Sequence, residues 1–234
     1  YLRRYWAYEE RIRDGIAARL QQPVDVDTAR LMILLDRLFP HADAPAPDWQ
    51  RIACALTARS GFGIVTGGPG TGKTTTVVKL LAVLHGLATA ANQPPLLIEL
   101  AAPTGKAAAR LTDSITDAIQ KIPEDLRPPH LDNIKVKTLH RLLGSRGDGG
   151  FRHDAAHPLH ADLVVVDEAS MVDVEMMAHL LAAMRPSARL ILLGDKDQLS
   201  SVEAGAVLGD LCRHAHRGRY RDDTLAYLAA TGSI

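Results

Sequence analysis

Eight consecutive residues carry the strongest chemical signal in the chain: Gly67, Gly68, Pro69, Gly70, Thr71, Gly72, Lys73 and Thr74. They satisfy the pattern G-x-x-x-x-G-K-[ST] at every fixed position. Glycines let successive backbone N–H groups curl around phosphate oxygens. A helix beginning at the same point adds partial positive charge. Lys73 would bridge the β- and γ-phosphates of a nucleoside triphosphate, and the Thr74 hydroxyl would ligate Mg²⁺. Thr75, one residue on, completes the phosphate-binding set. The competing reading is an ordinary glycine-rich turn between a strand and a helix.

A second signal is the acidic pair Asp167-Glu168, which ends the apolar run Leu163 to Val166. Carboxylates at the C-terminal end of a buried parallel strand lie where ligands of such sheets bind. Asp167 can hold the metal and its water shell. Glu168 can orient and deprotonate an attacking water. A water-activating carboxylate argues against a nucleotide kinase, which passes phosphate to a substrate. The plainer alternative is attraction of the pair to a helix N-terminus. A third signal, Gly194-Asp195-Lys196-Asp197-Gln198, follows another apolar run. The Gln198 carboxamide can donate to a γ-phosphate oxygen and lose that bond on hydrolysis. As a bare pattern it also fits a polar turn.

These residues need a frame. Residues 1–40 carry apolar positions at helical spacing, broken at Pro23 and ended at Pro40. Residues 41–47 read as a linker. From Asp48 the pattern alternates. Helices are expected at 48–60, 74–87, 106–120, 139–143, 174–184 and 204–212. Short apolar strands are expected at 63–66, 96–101, 134–138, 162–167 and 190–193. Such alternation predicts an α/β fold, with a parallel sheet covered by helices on both faces. The organisation expected is a helical segment and linker over 1–47, an α/β domain over 48–213, and a tail over 214–234.

Composition narrows the function classes. The chain has 234 residues, 47% of them hydrophobic, with 27 Lys plus Arg against 27 Asp plus Glu. Zero formal net charge excludes a globally basic nucleic-acid protein but leaves room for a local basic groove. No apolar run approaches the length of a bilayer span. Cys54 and Cys212 are the only cysteines. They build no disulfide framework, so a reducing cytoplasm is the expected setting. The chain opens on Tyr1 without Met or a signal sequence, and reads as a fragment.

Taken in order, the motifs resemble the superfamily 1 DNA helicases, and most closely the RecD-type alpha subunit of exodeoxyribonuclease V. Residues 67–76 look like helicase motif I, 102–108 (Ala-Pro-Thr-Gly-Lys-Ala-Ala) like motif Ia, and 138–144 like the T-x-H-x-L-L-G segment. Residues 166–173 look like motif II. Residues 194–199, with Val202 and Gly205, look like motif III. The match runs from Asp48 to about Leu211, more than two thirds of the chain.

The resemblance implies a RecA-like ATPase domain (helicase domain 1A) using ATP and Mg²⁺. Gln50 would read adenine, and Gln198 would couple the γ-phosphate to the DNA groove. Thr104, Lys106, Thr138 and His140 would contact single-stranded DNA, since phosphate contacts need only a placed cation or donor. Gln50 as an ordinary surface residue and Lys106 as a solvated first-turn side chain remain open. The resemblance further implies 5′ to 3′ unwinding in double-strand break repair. The complex would hold a RecB-like helicase–nuclease and a RecC-like scaffold, with no membrane role.

One departure matters. Helicases of this family place ATP between two RecA-like domains. After motif III only about thirty residues remain, the length of a single βαβ unit. The chain is therefore expected to bind ATP weakly alone, hydrolyse little and unwind nothing. A stand-alone ATPase switch without nucleic acid and a non-catalytic assembly module are the rival functions. Tyr1, Tyr5, Trp6 and Tyr8, amid arginines, fit either a partner-docking helix or packing onto the chain's own domain. His153, His157 and His160 sit in a loop and lack the fixed spacing of a structural zinc site.

Overall fold

The computed structural model describes residues 3–22, 24–40, 47–129, 131, 134–147, 149–198, 207–213, 215 and 220–234. Five strands form one parallel sheet: β1 (Phe62–Thr66), β2 (Ile98–Ala102), β3 (Lys137–Thr138), β4 (Leu163–Val166) and β5 (Arg189–Gly194). Their spatial order is β1-β5-β4-β2-β3. The last strand in sequence thus lies between the first and the fourth. Phe62 to Thr66 pair with Leu190 to Gly194, and Val166 pairs with Leu192.

The continuous apolar runs have a simple cause. Successive side chains of a strand point to opposite faces, and both faces are covered. Leu163 and Val165 of β4, with Ile191 and Leu193 of β5, belong to one core cluster. Val164 and Val166, with Leu190 and Leu192, belong to the other. The first cluster is closed by α2 (Thr28–Leu38), α3 (Trp49–Ala58), α4 (Lys73–Ala90) and α5 (Gly105–Ile119). The second is closed by α1 (Arg3–Gln21), α6 (Leu139–Leu143), α7 (Val174–Ala183) and the start of α8 (Val207–Leu211). This is the RecA-like P-loop arrangement.

Helix α1 packs along α7. Ile12 and Ile16 are buried, and a Cβ on Gly15 would meet Leu181 Cβ at 3.3 Å. Tyr8 donates its hydroxyl to Glu175 at 3.0 Å. Arg19 is 2% exposed and donates to the carbonyls of Ala188, Gly15 and Arg185 at 2.9, 2.8 and 3.1 Å. The inner face of α1 therefore packs onto its own chain, while Trp6 stays 54% exposed.

Two segments depart from the pattern read in the sequence. The alternation over 134–138 yields only the two-residue edge strand β3. Ile134 and Val136 pack against the core without joining the ladder. Within 214–234 lies a helix, α9 (Asp222–Ala230). The Tyr227 hydroxyl donates to Ala55 O at 2.9 Å, and Arg59 donates to Thr224 Oγ1 at 2.7 Å. The buried Arg51 reaches Asp36 at 2.8 Å and Thr231 O at 3.1 Å. Helix α9 is thereby tied to α2 and α3.

Candidate nucleotide site

The phosphate loop leaves the sheet from the end of β1. Gly67 N donates to Gly194 O at 3.2 Å, carrying the β1–β5 ladder one residue further. The chain then turns through Gly70 (φ +77°) and Gly72 (φ +81°). Both lie in the left-handed region, where an L side chain is strained. Gly72 is the N-cap of α4 and has no side chain to offer it. The freed N–H groups at that helix start point towards the loop. Cβ atoms built on Gly68 or Gly70 would meet nothing within 4 Å.

Side chains hold the loop in shape. Lys73 Nζ donates to Gly67 O at 2.6 Å and to Gly68 O at 3.0 Å. Thr71 Oγ1 donates to Gly68 O at 2.9 Å. Gln50 sits on the flank: Asp48 caps α3 by accepting from Gln50 N and Arg51 N, and Gln50 Nε2 donates to Thr71 O at 3.2 Å. Behind the loop, Cys54 is fully buried and donates to Thr76 O at 3.4 Å. Burial pushes its thiol far above the usual range, so it stays a neutral packing group.

The acidic pair enters from β4. Asp167 N donates to Ala101 O at 2.9 Å, so Asp167 continues the strand. Glu168 takes φ +51°, unusual for a residue with a side chain. This turns the chain sharply into a 3₁₀ turn at Ala169–Met171. Burial pushes the Asp167 carboxyl up. A hydrogen bond from the Glu168 backbone opposes that, as do the more distant charges of Lys73 and Arg110, while the Glu168 charge adds to it.

The third loop follows β5, whose end lies beside the phosphate loop. Lys196 N donates to Thr66 Oγ1 at 3.0 Å. Gln198 N donates to Asp195 O at 3.3 Å, and its side-chain Oε1 accepts from Ser170 Oγ at 3.3 Å. Leu199, Val202 and Gly205, the rest of that motif, lie outside the described residues.

These segments enclose one open cleft of about 560 Å³. Gly70, Thr71, Gly72, Lys73, Thr74 and Thr75 line one wall, with Asp167, Glu168 and Gln198 beside them. Gln50 lies just outside, behind Gly72. The opposite wall was not legible as part of a site: it is α5, presenting Arg110, Ser114 and Asp117, with Lys121 just past its C-cap. Their spacing of four, three and four residues is a helical stripe, which was the available signal. One hydroxyl (Thr74) and one carboxylate (Asp167) on the same cleft suit Mg²⁺, which keeps several waters and takes few protein ligands.

The four residues expected near DNA lie outside that cleft's lining. Thr104 is the N-cap of α5 and accepts from Ala107 N at 3.2 Å. Thr138 is the N-cap of α6 and accepts from Arg141 N at 3.2 Å. Thr138 ends β3 and Thr104 follows the neighbouring β2 by two residues, with Ala102 paired to Thr138. A hydroxyl accepting at a cap keeps its own hydrogen to donate outward. Lys106 and His140 are exposed next to them. Elsewhere, His153 Nδ1 lies 3.2 Å from His157 O, and His157 Nδ1 lies 3.3 Å from Asp154 Oδ1. Among the described residues no helix is long and apolar enough to cross a membrane.

Residues 50–204 match the family described as AAA domain. The RecBCD enzyme subunit RecD of Mycobacterium tuberculosis (strain H37Rv) is 46% identical over 90% of this chain and 35% of its own length. The subunit of the same name in Haemophilus influenzae is 48% identical over 84% of this chain and 31% of its own. The ATP-dependent RecD2 DNA helicase of Deinococcus radiodurans is 41% identical over 65% of this chain and 18% of its own. The chain spans about a third of the length of the RecD relatives it matches. With its parallel sheet, glycine cradle and acidic pair around one cleft, the chain belongs to the AAA-domain family and is similar to one part of those RecD subunits.

Proposed function

We propose that this chain is the first motor domain of an ATP-dependent DNA helicase, binding ATP in the cleft between the phosphate loop and α5. One observation carries the reading. Lys73 opens α4 after β1 and the Asp167–Glu168 pair follows β4, strands separated by β5, yet they line the same cleft at the C-terminal end of one sheet. Lys73 already gathers the loop's carbonyls, and its ammonium would move to the β- and γ-phosphates as they enter. Thr74 and Asp167 would hold Mg²⁺, which supplies neutralisation of phosphate charge when bound. Glu168, turned out of the strand by its left-handed backbone, would take the proton of the attacking water. Gln198 would donate to the γ-phosphate, and Gln50, braced on Thr71, would meet the base.

Thr104, Lys106, Thr138 and His140 offer donors and a cation at adjoining helix starts, and we assign them to the phosphates of single-stranded DNA. The parts beyond this segment rest on the relatives. RecBCD in their names supports assembly with RecB-like and RecC-like subunits; a cytoplasmic setting and 5′ to 3′ unwinding in break repair belong to the same proposal, on the motif resemblance alone. The test is ATP turnover with and without single-stranded DNA, for this segment alone and within a full-length RecD-type protein. DNA should stimulate turnover only in the longer protein. Glu168→Gln should abolish turnover while sparing nucleotide binding, and Lys73→Ala should remove binding. Turnover indifferent to DNA in the longer protein would replace the helicase with an ATPase switch.

A further inference from the structure

Ser170 is a buried hydroxyl, 4% exposed, in the 3₁₀ turn behind the acidic pair. It donates to Gln198 Oε1 at 3.3 Å, joining two loops that both end at the cleft. A carboxamide has one accepting end and one donating end. With Ser170 on the accepting end, the N–H₂ of Gln198 is the end left to face the cleft. A carboxamide free to rotate would present its oxygen to an incoming phosphate as readily as its nitrogen, and oxygen there is repulsive.

Both ends of this bridge are anchored. The turn bearing Ser170 is closed by Met171 N donating to Glu168 O at 2.9 Å. It packs so closely on the end of β5 that a Cβ on Gly194 would lie 3.2 Å from Ser170 N. The loop bearing Gln198 starts at that same point. It is closed by Gln198 N on Asp195 O at 3.3 Å and by Asp197 N on Asp195 Oδ1 at 3.0 Å. Ser170 therefore meets Gln198 across a short, fixed span rather than by the swing of a long loop.

We infer that Ser170 is a positioning residue that sets the orientation of the Gln198 carboxamide, and thereby the preference of this site for a nucleoside triphosphate over a diphosphate. The inference rests on the reading of Gln198 as a γ-phosphate donor.

The experiment is a titration of this chain with Mg-ATPγS and with Mg-ADP, read as the ratio of the two affinities. Ser170→Ala should lower the ratio about three- to tenfold, the range of one lost hydrogen bond, with ADP affinity unchanged. Ser170→Thr, which keeps the hydroxyl, should restore it. Gln198→Ala sets the largest loss available. If Gln198→Ala lowers the ratio and Ser170→Ala does not, the positioning role is overturned while the γ-phosphate reading stands. If Gln198→Ala leaves the ratio unchanged, the γ-phosphate reading fails and takes the inference with it. Equal losses for ATPγS and ADP in Ser170→Ala would mean general damage to the turn, and would also overturn it.

Discussion

Gly72→Ala would test the phosphate loop where backbone and side chain are both constrained. Gly72 has φ +81°, and a Cβ there would lie 2.5 Å from Gln50 Nε2. An L residue in the left-handed region costs about 1–2 kcal/mol. Gln50 can swing away, but only by giving up its bond to Thr71 O, worth about 0.5–1 kcal/mol at an exposed site. Replacing glycine also restricts the unfolded chain, returning about 0.4–1 kcal/mol. The net expected loss is about 1–2 kcal/mol, read as a shift in the urea midpoint at unchanged slope. Nucleotide affinity should fall by more than about tenfold, because the same strain turns the loop N–H groups away from the phosphates. Gly105→Ala is the matched control. Gly105 opens α5, has no left-handed φ, and its Cβ would meet nothing within 4 Å. It should be neutral or stabilising by up to about 1 kcal/mol. If Gly72→Ala were as stable as Gly105→Ala and still bound Mg-ATP, the strain assigned to the loop would be wrong.

Two further outcomes concern the elements that hold the site. Arg19→Met should cost about 2–4 kcal/mol in chemical denaturation, since three carbonyls around a buried guanidinium lose a charged donor; a loss under about 1 kcal/mol would show that water replaces it. Burial pushes the Tyr227 phenol up to about 12 from an ordinary 10.0. The fold then holds that proton more tightly than the unfolded chain. Stability is full below the unfolded value and drains as pH rises through the folded one. The melting temperature should fall more steeply between about pH 10 and 12 for the wild type than for Tyr227→Phe; parallel curves would refute the assignment.

Much of this architecture was legible from local pattern. The runs at β4 and β5 could only be strands covered on both faces, because every second residue needed an apolar partner on each side. The loop from Gly67 to Thr74 announced itself through glycines that the backbone angles require. What stayed hidden depended on neighbours distant in sequence. Residues 134–138 alternate like a strand, yet Ile134 and Val136 satisfy their burial against other elements and leave only Lys137 and Thr138 to pair. Helix α9 has a weak pattern of its own and is fixed by Arg51 and Ala55 of α3 and by Arg59 at the α3 C-cap. The α5 wall of the cleft is a polar stripe that would pass for a solvated face until Asp167 is seen opposite. The left-handed turn at Glu168 is invisible to pattern, since glutamate gives no hint of it.

The position of β5 bears on how the protein can be made. Phe62 pairs with Leu190, and Val164 pairs with Leu190 on its other side. Until the ribosome has delivered β5, β4 can pair only with β2, and the apolar strand β1 waits unpaired. Parallel pairings between such distant residues raise contact order and slow folding. Unpaired apolar strands are also what invite aggregation of nascent chains. The phosphate loop, complete early in synthesis, meets its acidic pair only when the final strand slides between them. Nucleotide binding by nascent chains stalled at increasing lengths should therefore switch on abruptly once β5 clears the exit tunnel.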